Sequence, residues 1–223
     1  MIVRYFADGF CMRFSRGRTL LVSLLIITWL VGSLGALWWF QSRLLRPFVT
    51  ADAAPEFRDL TAVSDGLSAI LQTVPAVPGA VTMVHLWNPD CSCNSVSQRH
   101  VDATLDQFGE NQLHFVILAP VTASEEDMKE MKELNPRATL IRLRPEDQIP
   151  LSASPGLAMY TPQQKLAYFG AYGFGALCTP SDSNLFVNMV NALLAGESYG
   201  PFMNIAGSGC FCAWPQHPAQ SPQ

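Results

Sequence analysis

The chain has 223 residues, enough for one medium domain with appendages. Hydrophobic residues make up 49% and charged residues only 14%, a skew that calls for a membrane segment, a large core or both. The net charge of −4 excludes the basic footprint of a chain that binds nucleic acid.

Residues 1–18 carry Arg4, Arg13, Arg16 and Arg18 against a single acid, Asp8. From Thr19 to Phe40 there is no charge. At about 1.5 Å per residue such a helix spans a bilayer core of roughly 30 Å. Trp38, Trp39 and Phe40 close the run as an aromatic belt would. Four arginines before the run and two after it, Arg43 and Arg46, favour a cytoplasmic N-terminus. The rival reading is a signal peptide cleaved near Ala51-Asp52-Ala53. The run exceeds a signal h-region of about 7–15 residues, so an uncleaved inner-membrane anchor with a periplasmic C-terminal domain is expected.

Residues 41–79 read as a juxtamembrane linker and a helix over 56–71, with Phe57, Leu60, Val63 and Leu67 on one face. Val74-Pro75-Ala76-Val77-Pro78-Gly79 stops it. The run from Val81 to Trp87 reads as a buried strand, and Asn88-Pro89-Asp90 as a sharp turn. Cys91 and Cys93 follow at the mouth of a helix carrying Val96, Val101, Leu105 and Phe108. Unpaired N–H groups and the positive end of a helix dipole favour a thiolate there, which makes Cys91 a candidate nucleophile. Asp90 beside it acts in the opposite sense.

A hydrophobic strand ending in Trp87, then Cys91 at a helix start, resembles the active-site segment of the thioredoxin-like superfamily. The family usually carries C-x-x-C, whereas this chain has C-x-C, with Asn94 where the second cysteine would stand. The resemblance implies that Cys91 attacks and that His85 takes the place of the family's buried acid. Cys93 is then close enough to resolve a mixed disulfide, and His85 is a candidate to carry the proton.

Leu113 to Ala119 reads as an internal strand, 125–134 as a helix capped by Ser124, and Ala138 to Leu143 as another strand. Gly156 to Tyr160 and Lys165 to Phe169 flank a hairpin turn, and Ser183 to Ala195 forms the last helix. The expected fold is α/β, a thioredoxin-like mixed sheet flanked by helices over residues 80–196, preceded by one transmembrane helix over 19–40. The resemblance assigns to Pro155, before the first hairpin strand, the place of the family's cis-proline beside the attacking sulfur.

Residues 197–223 hold Cys210-Phe211-Cys212 behind a Gly207-Ser208-Gly209 hinge, and read as a flexible arm. Three readings compete for it: a structural disulfide, a second redox pair that reaches Cys91 and Cys93, or half of a four-thiolate metal site. No regular C-x-x-C zinc repeat is present. Cys178 reads as a semi-buried thiol and Cys11 as lying on the reducing side of the membrane.

The leading expectation is a membrane-anchored periplasmic thiol–disulfide oxidoreductase acting on protein thiols or disulfides, with no cofactor and a membrane electron donor as possible partner. The alternatives are a copper-handling thiolate protein and a non-catalytic thioredoxin-fold interaction module.

Overall fold

The computed structural model describes residues 16–147, 149–175 and 184–215. The chain divides into two compact units, residues 1–43 and 44–223. In the first, helix α1 (Arg16–Leu44) contains a 23-residue apolar stretch, Gly17–Trp39, of mean hydropathy 2.3. Its side chains are exposed all round, and it is long and apolar enough to cross a membrane.

The second unit opens with strand β1 (Leu45–Pro47) and a 3-10 turn (Pro55–Arg58). Helix α2 (Leu60–Leu71) starts where the Asp59 carboxylate accepts the Thr61 N–H. The helix expected over 56–71 is therefore two elements, broken at Asp59. Then come β2 (Val81–Leu86), α3 (Asn94–Leu105), β3 (Leu113–Ala119), α4 (Glu125–Leu134) and β4 (Thr139–Arg142). A capping box of Ser124 and Asp127 starts α4. The short β5 (Ala153–Ser154) leads into the hairpin of β6 (Gly156–Tyr160) and β7 (Leu166–Gly170), followed by α5 (Leu185–Leu194). Three short strands follow among the described residues: β8 (Phe202–Asn204), β9 (Ser208–Cys210) and β10 (Cys212–Ala213).

The main sheet runs β4-β3-β2-β6-β7-β8. β2 is central, parallel to β3 and antiparallel to β6, and all six of its residues are buried. Alternation along β2 divides the core into two layers. Val81, Met83 and Trp87 join Val101 of α3 and Phe186, Met189, Val190 and Leu193 of α5. Val84 and Leu86 join Val63, Leu67 and Ile70 of α2, with Phe48, Phe211 and Trp214. This is the thioredoxin-like order with one further edge strand, β8.

The segment after α5 is not the loose arm expected from its glycines. β8 lies parallel to β7, β9 pairs antiparallel with β1, and β10 pairs antiparallel with β5. Gly170 makes the first of these pairings possible. It sits at φ +149°, and a Cβ there would stand 2.1 Å from the Asn204 carbonyl oxygen. Gly170→Ala should therefore detach β8 and destabilise the domain by about 2 kcal/mol or more, read as a fall in thermal midpoint of several degrees.

Candidate functional site

Three segments meet at the C-terminal end of β2. The first is the turn after Trp87. Trp87 N–H donates to the Leu118 carbonyl at 2.9 Å, holding the strand register to its last residue. Buried Asn88 then builds the turn: its Oδ1 accepts the Asp90 N–H at 3.1 Å, and its carbonyl accepts the Cys91 N–H at 3.0 Å. Asn94 Nδ2 donates to the same carbonyl at 2.7 Å. The residue standing where the family has its second cysteine therefore pins the turn. α3 starts at Asn94 with Cys93 as its N-cap, so Cys91 lies in the turn, two residues ahead of the cap. Both cysteines are buried, at 3% and 4% exposure.

The second segment is β5. Ser154, fully buried, donates its Oγ–H to the Leu86 carbonyl at 3.3 Å. Its own carbonyl oxygen lies 3.5 Å from Cys91 Sγ. The Ser154–Pro155 peptide is cis.

The third is the C-terminal tail. Cys212 is opposite Ser154 and Ala213 opposite Ala153, and the Trp214 N–H donates to the Ser152 carbonyl at 3.0 Å. On the other side Cys210 is opposite Leu45, while the Phe48 N–H donates to Gly207 and the Gly175 N–H to Ser208. Phe211, between the two cysteines, is 4% exposed. It packs edge-on against Phe48 at 5.1 Å and Phe174 at 6.1 Å between ring centroids.

The two C-x-C pairs are bonded across, not within. Cys91 is joined to Cys212 and Cys93 to Cys210, with Cα separations of 5.7 and 5.6 Å, inside the ordinary disulfide range. Cys91 and Cys93 are not bonded to each other, because the antiparallel tail presents a partner to each sulfur. Cys91, Cys93 and Cys212 Sγ all lie within 4.8 Å of one another. These three sulfurs therefore form one compact cluster, to which Cys210 is joined through Cys93. Cys11 and Cys178 lie outside the described residues.

His85 points into the other core layer. Its Nδ1 lies 2.8 Å from Tyr172 Oη, and its ring stacks near Phe115. Burial pushes its pKa down to about 4, opposed by a hydrogen bond with the Gly156 backbone. Burial likewise holds the Tyr172 hydroxyl protonated, so it can donate to a neutral imidazole. Tyr172 also stacks on His100, at 5.8 Å between centroids. Sequence reasoning missed Asn88, Asn94 and Ser154 as builders of this site, and Tyr172 and Phe48. The Asn-Pro-Asp turn was the one signal that pointed to Asn88. Nothing local marks Phe48.

A family model described as "Domain of unknown function (DUF6436)" matches residues 62–214, so all but the first two residues of α2, both C-x-C pairs and Trp214 lie within it. No curated protein sequence matches the chain. Among solved structures, an uncharacterized conserved protein from Geobacillus kaustophilus is 15% identical over 64% of this chain and 80% of its own, with a TM-score of 0.52. A thiol-disulfide isomerase from Corynebacterium glutamicum is 14% identical over 53% and 83%, with a TM-score of 0.40. A thioredoxin family thiol:disulfide interchange protein from Chlorobium tepidum is 13% identical over 53% and 82%, at 0.42. At 15% identity the likeness to the Geobacillus kaustophilus protein is one of fold.

The buried imidazole makes stability depend on pH. A histidine held at about 4 when folded and near 6.5 when unfolded leaves stability intact above pH 6.5. Stability is then lost as pH falls through that window, by roughly 3 kcal/mol for His85. His100 and His114 are also pushed down by burial and add in the same direction. Urea unfolding at pH 7 and pH 4.5 should show a smaller acid loss in His85→Gln than in the native chain. An equal loss in both would remove His85 as the main sensor.

Proposed function

The chain belongs to the DUF6436 family and its sheet has the thioredoxin-like strand order, and from the cysteine geometry we propose that it is a thiol–disulfide oxidoreductase in which Cys91 attacks and Cys212 resolves. One observation carries this reading. Cys91 is bonded to a strand laid antiparallel on the residues before Pro155. That is the arrangement of an enzyme sulfur joined to an extended polypeptide.

In the reduced form the Cys91 thiolate attacks one sulfur of a substrate disulfide. The Cys91–substrate bond forms, and the other substrate sulfur leaves as a thiolate. The Cys212 thiolate then attacks Cys91 Sγ, and the first substrate sulfur leaves. The substrate has gained two electrons and, from solvent, two protons; Cys91 and Cys212 have lost as many and are joined. Cys93 and Cys210 hold a second such pair. The cycle runs in reverse when the substrate is a dithiol. Regeneration needs a dithiol donor, and an anchored chain suits one in the membrane. Proximity to the N-terminus of α3 favours the thiolate at Cys91 and Cys93. Pro155 and Ser154 hold the strand edge on which the partner chain lies. His85, neutral at pH 7, is assigned to the proton balance behind the site.

The anchor reading rests on α1 and the arginine bias. On this reading the domain lies outside the cytoplasm, in the bacterial periplasm, where disulfides persist. A reporter fused after Gln223 that works only outside the cytoplasm should be active, and activity of a cytoplasm-only reporter there would overturn this placement.

The assignment of Cys212 is tested by trapping. With Cys210→Ser and Cys212→Ser combined, only Cys93 is left in the site to resolve. The reduced variant should then accumulate the Cys91 mixed disulfide with a model disulfide peptide at least ~10-fold over the native chain, since a tethered thiol acts at millimolar effective concentration. Cys93→Ser should resolve like the native chain. Equal accumulation in both variants, or a bond to Cys93, would assign the resolving step elsewhere. A second reading rests on the three sulfurs within 4.8 Å: the reduced cluster as a site for a soft cation. Metal analysis of the reduced chain, with free thiols counted, separates the two.

A further inference from the structure

We propose that residues 208–215 occupy the substrate's own cleft, and that this cleft recognises an extended polypeptide whose cysteine has an aromatic residue on its N-terminal side and a second one two residues beyond. The proposal rests on the exchange reading above and names the substrate class of that site. The tail makes every contact an external chain would need. Cys212 is bonded to Cys91, and its backbone pairs with Ser154. Trp214 continues the ladder onto Ser152. Such pairing is sequence-independent, so side chains must supply the selectivity.

Two of them do. Phe211 precedes Cys212 and fills a pocket between Phe48 and Phe174. Trp214, two residues beyond, is 5% exposed in the layer beneath α2. Ala213, between Cys212 and Trp214, points to solvent and reads nothing. Aromatic anchors in desolvated pockets carry most of the energy in such contacts. With the tail lifted, Phe48 and its neighbours would face water, so the cleft is covered by the tail or by a partner chain.

The tail and the substrate therefore exclude each other. In the oxidised chain both disulfides hold the tail down. In the four-thiol chain only the ladder and the two aromatic rings do. Resolution by Cys212 then returns the tail strand to its place as the substrate leaves, so that bond exchange and release become one event.

The test uses the full chain in detergent micelles and a peptide with the sequence of residues 208–215, serine replacing both cysteines. The peptide should bind the reduced chain at least ~10-fold more tightly than the oxidised chain, and alanine at either aromatic position should cost ~10-fold or more. Hydrogen exchange on the native chain should show the amides of 208–214 losing ~100-fold protection on reduction. Adding peptide should leave these amides unprotected and protect 152–154. Protection of 208–214 that survives reduction, or peptide affinity equal in both redox states or indifferent to the aromatic residues, would overturn the proposal. Mixed-disulfide trapping at Cys91 is read separately, so the cleft can fail while the exchange reading stands.

Discussion

The tail's antiparallel seat on β5 is the contact on which the site depends. It sets Cys212 against Cys91, and Phe211 and Trp214 into the layer beneath α2. Two such rings bury roughly 300–500 Å², worth about 10 kcal/mol as an upper figure. Ordering some eight residues costs about 8–16 kcal/mol. The two are of one size, so burial alone leaves the tail close to balance. The covalent links decide whether it stays down.

Those links are nested. Cys91–Cys212 spans 121 residues and Cys93–Cys210 spans 117. Either alone removes about 5 kcal/mol of unfolded-chain entropy in the loop-closure view. The second adds little to that, because the first already brings its ends together. It contributes persistence instead. When an attacking thiol opens one bond, the other keeps the freed thiolate beside the new mixed disulfide, and reclosure, which expels the attacking thiol, is faster than escape. Release of the strand thus requires both bonds to open, so the tail responds to sustained reduction rather than to a single exchange.

Much of the frame was legible in the sequence, because it is written in local signals. The apolar run of α1, the continuous strands β2 and β3, the Ser124 cap and the hairpin turn each follow from a few adjacent residues. Trp87 and Cys91 were found by the same route. The tail was misread because its evidence is not local. Gly207, Ser208 and Gly209 signal freedom when read alone. In the fold the glycines admit Phe174 and Phe211 at close range, within 2.6 Å and 3.0 Å of where a Cβ would stand. The partners of β9 and β10, Leu45–Pro47 and Ala153–Ser154, are far away in sequence and only two or three residues long. No periodicity announces strands so short. The cross-pairing of the cysteines is hidden for the same reason, since two C-x-C pairs fit internal rings as well as a ladder.

Asn94 ties the local and the distant parts together. In a C-x-x-C site the second sulfur stands three residues on, about one helical turn from the first. Here that position closes the Asn88 turn through its amide, and Cys93 is taken by Cys210. The sulfur bonded to Cys91 comes from a strand that pairs with β5. On the proposed reading, moving the resolving cysteine from helix to strand makes the redox step contingent on occupancy of the cleft. A substrate held firmly by its backbone and aromatic anchors keeps its mixed disulfide. One held weakly is displaced by the tail. The selectivity of such a site lies in the competition between two polypeptide strands for the same few hydrogen bonds, and the cysteines record which of them won.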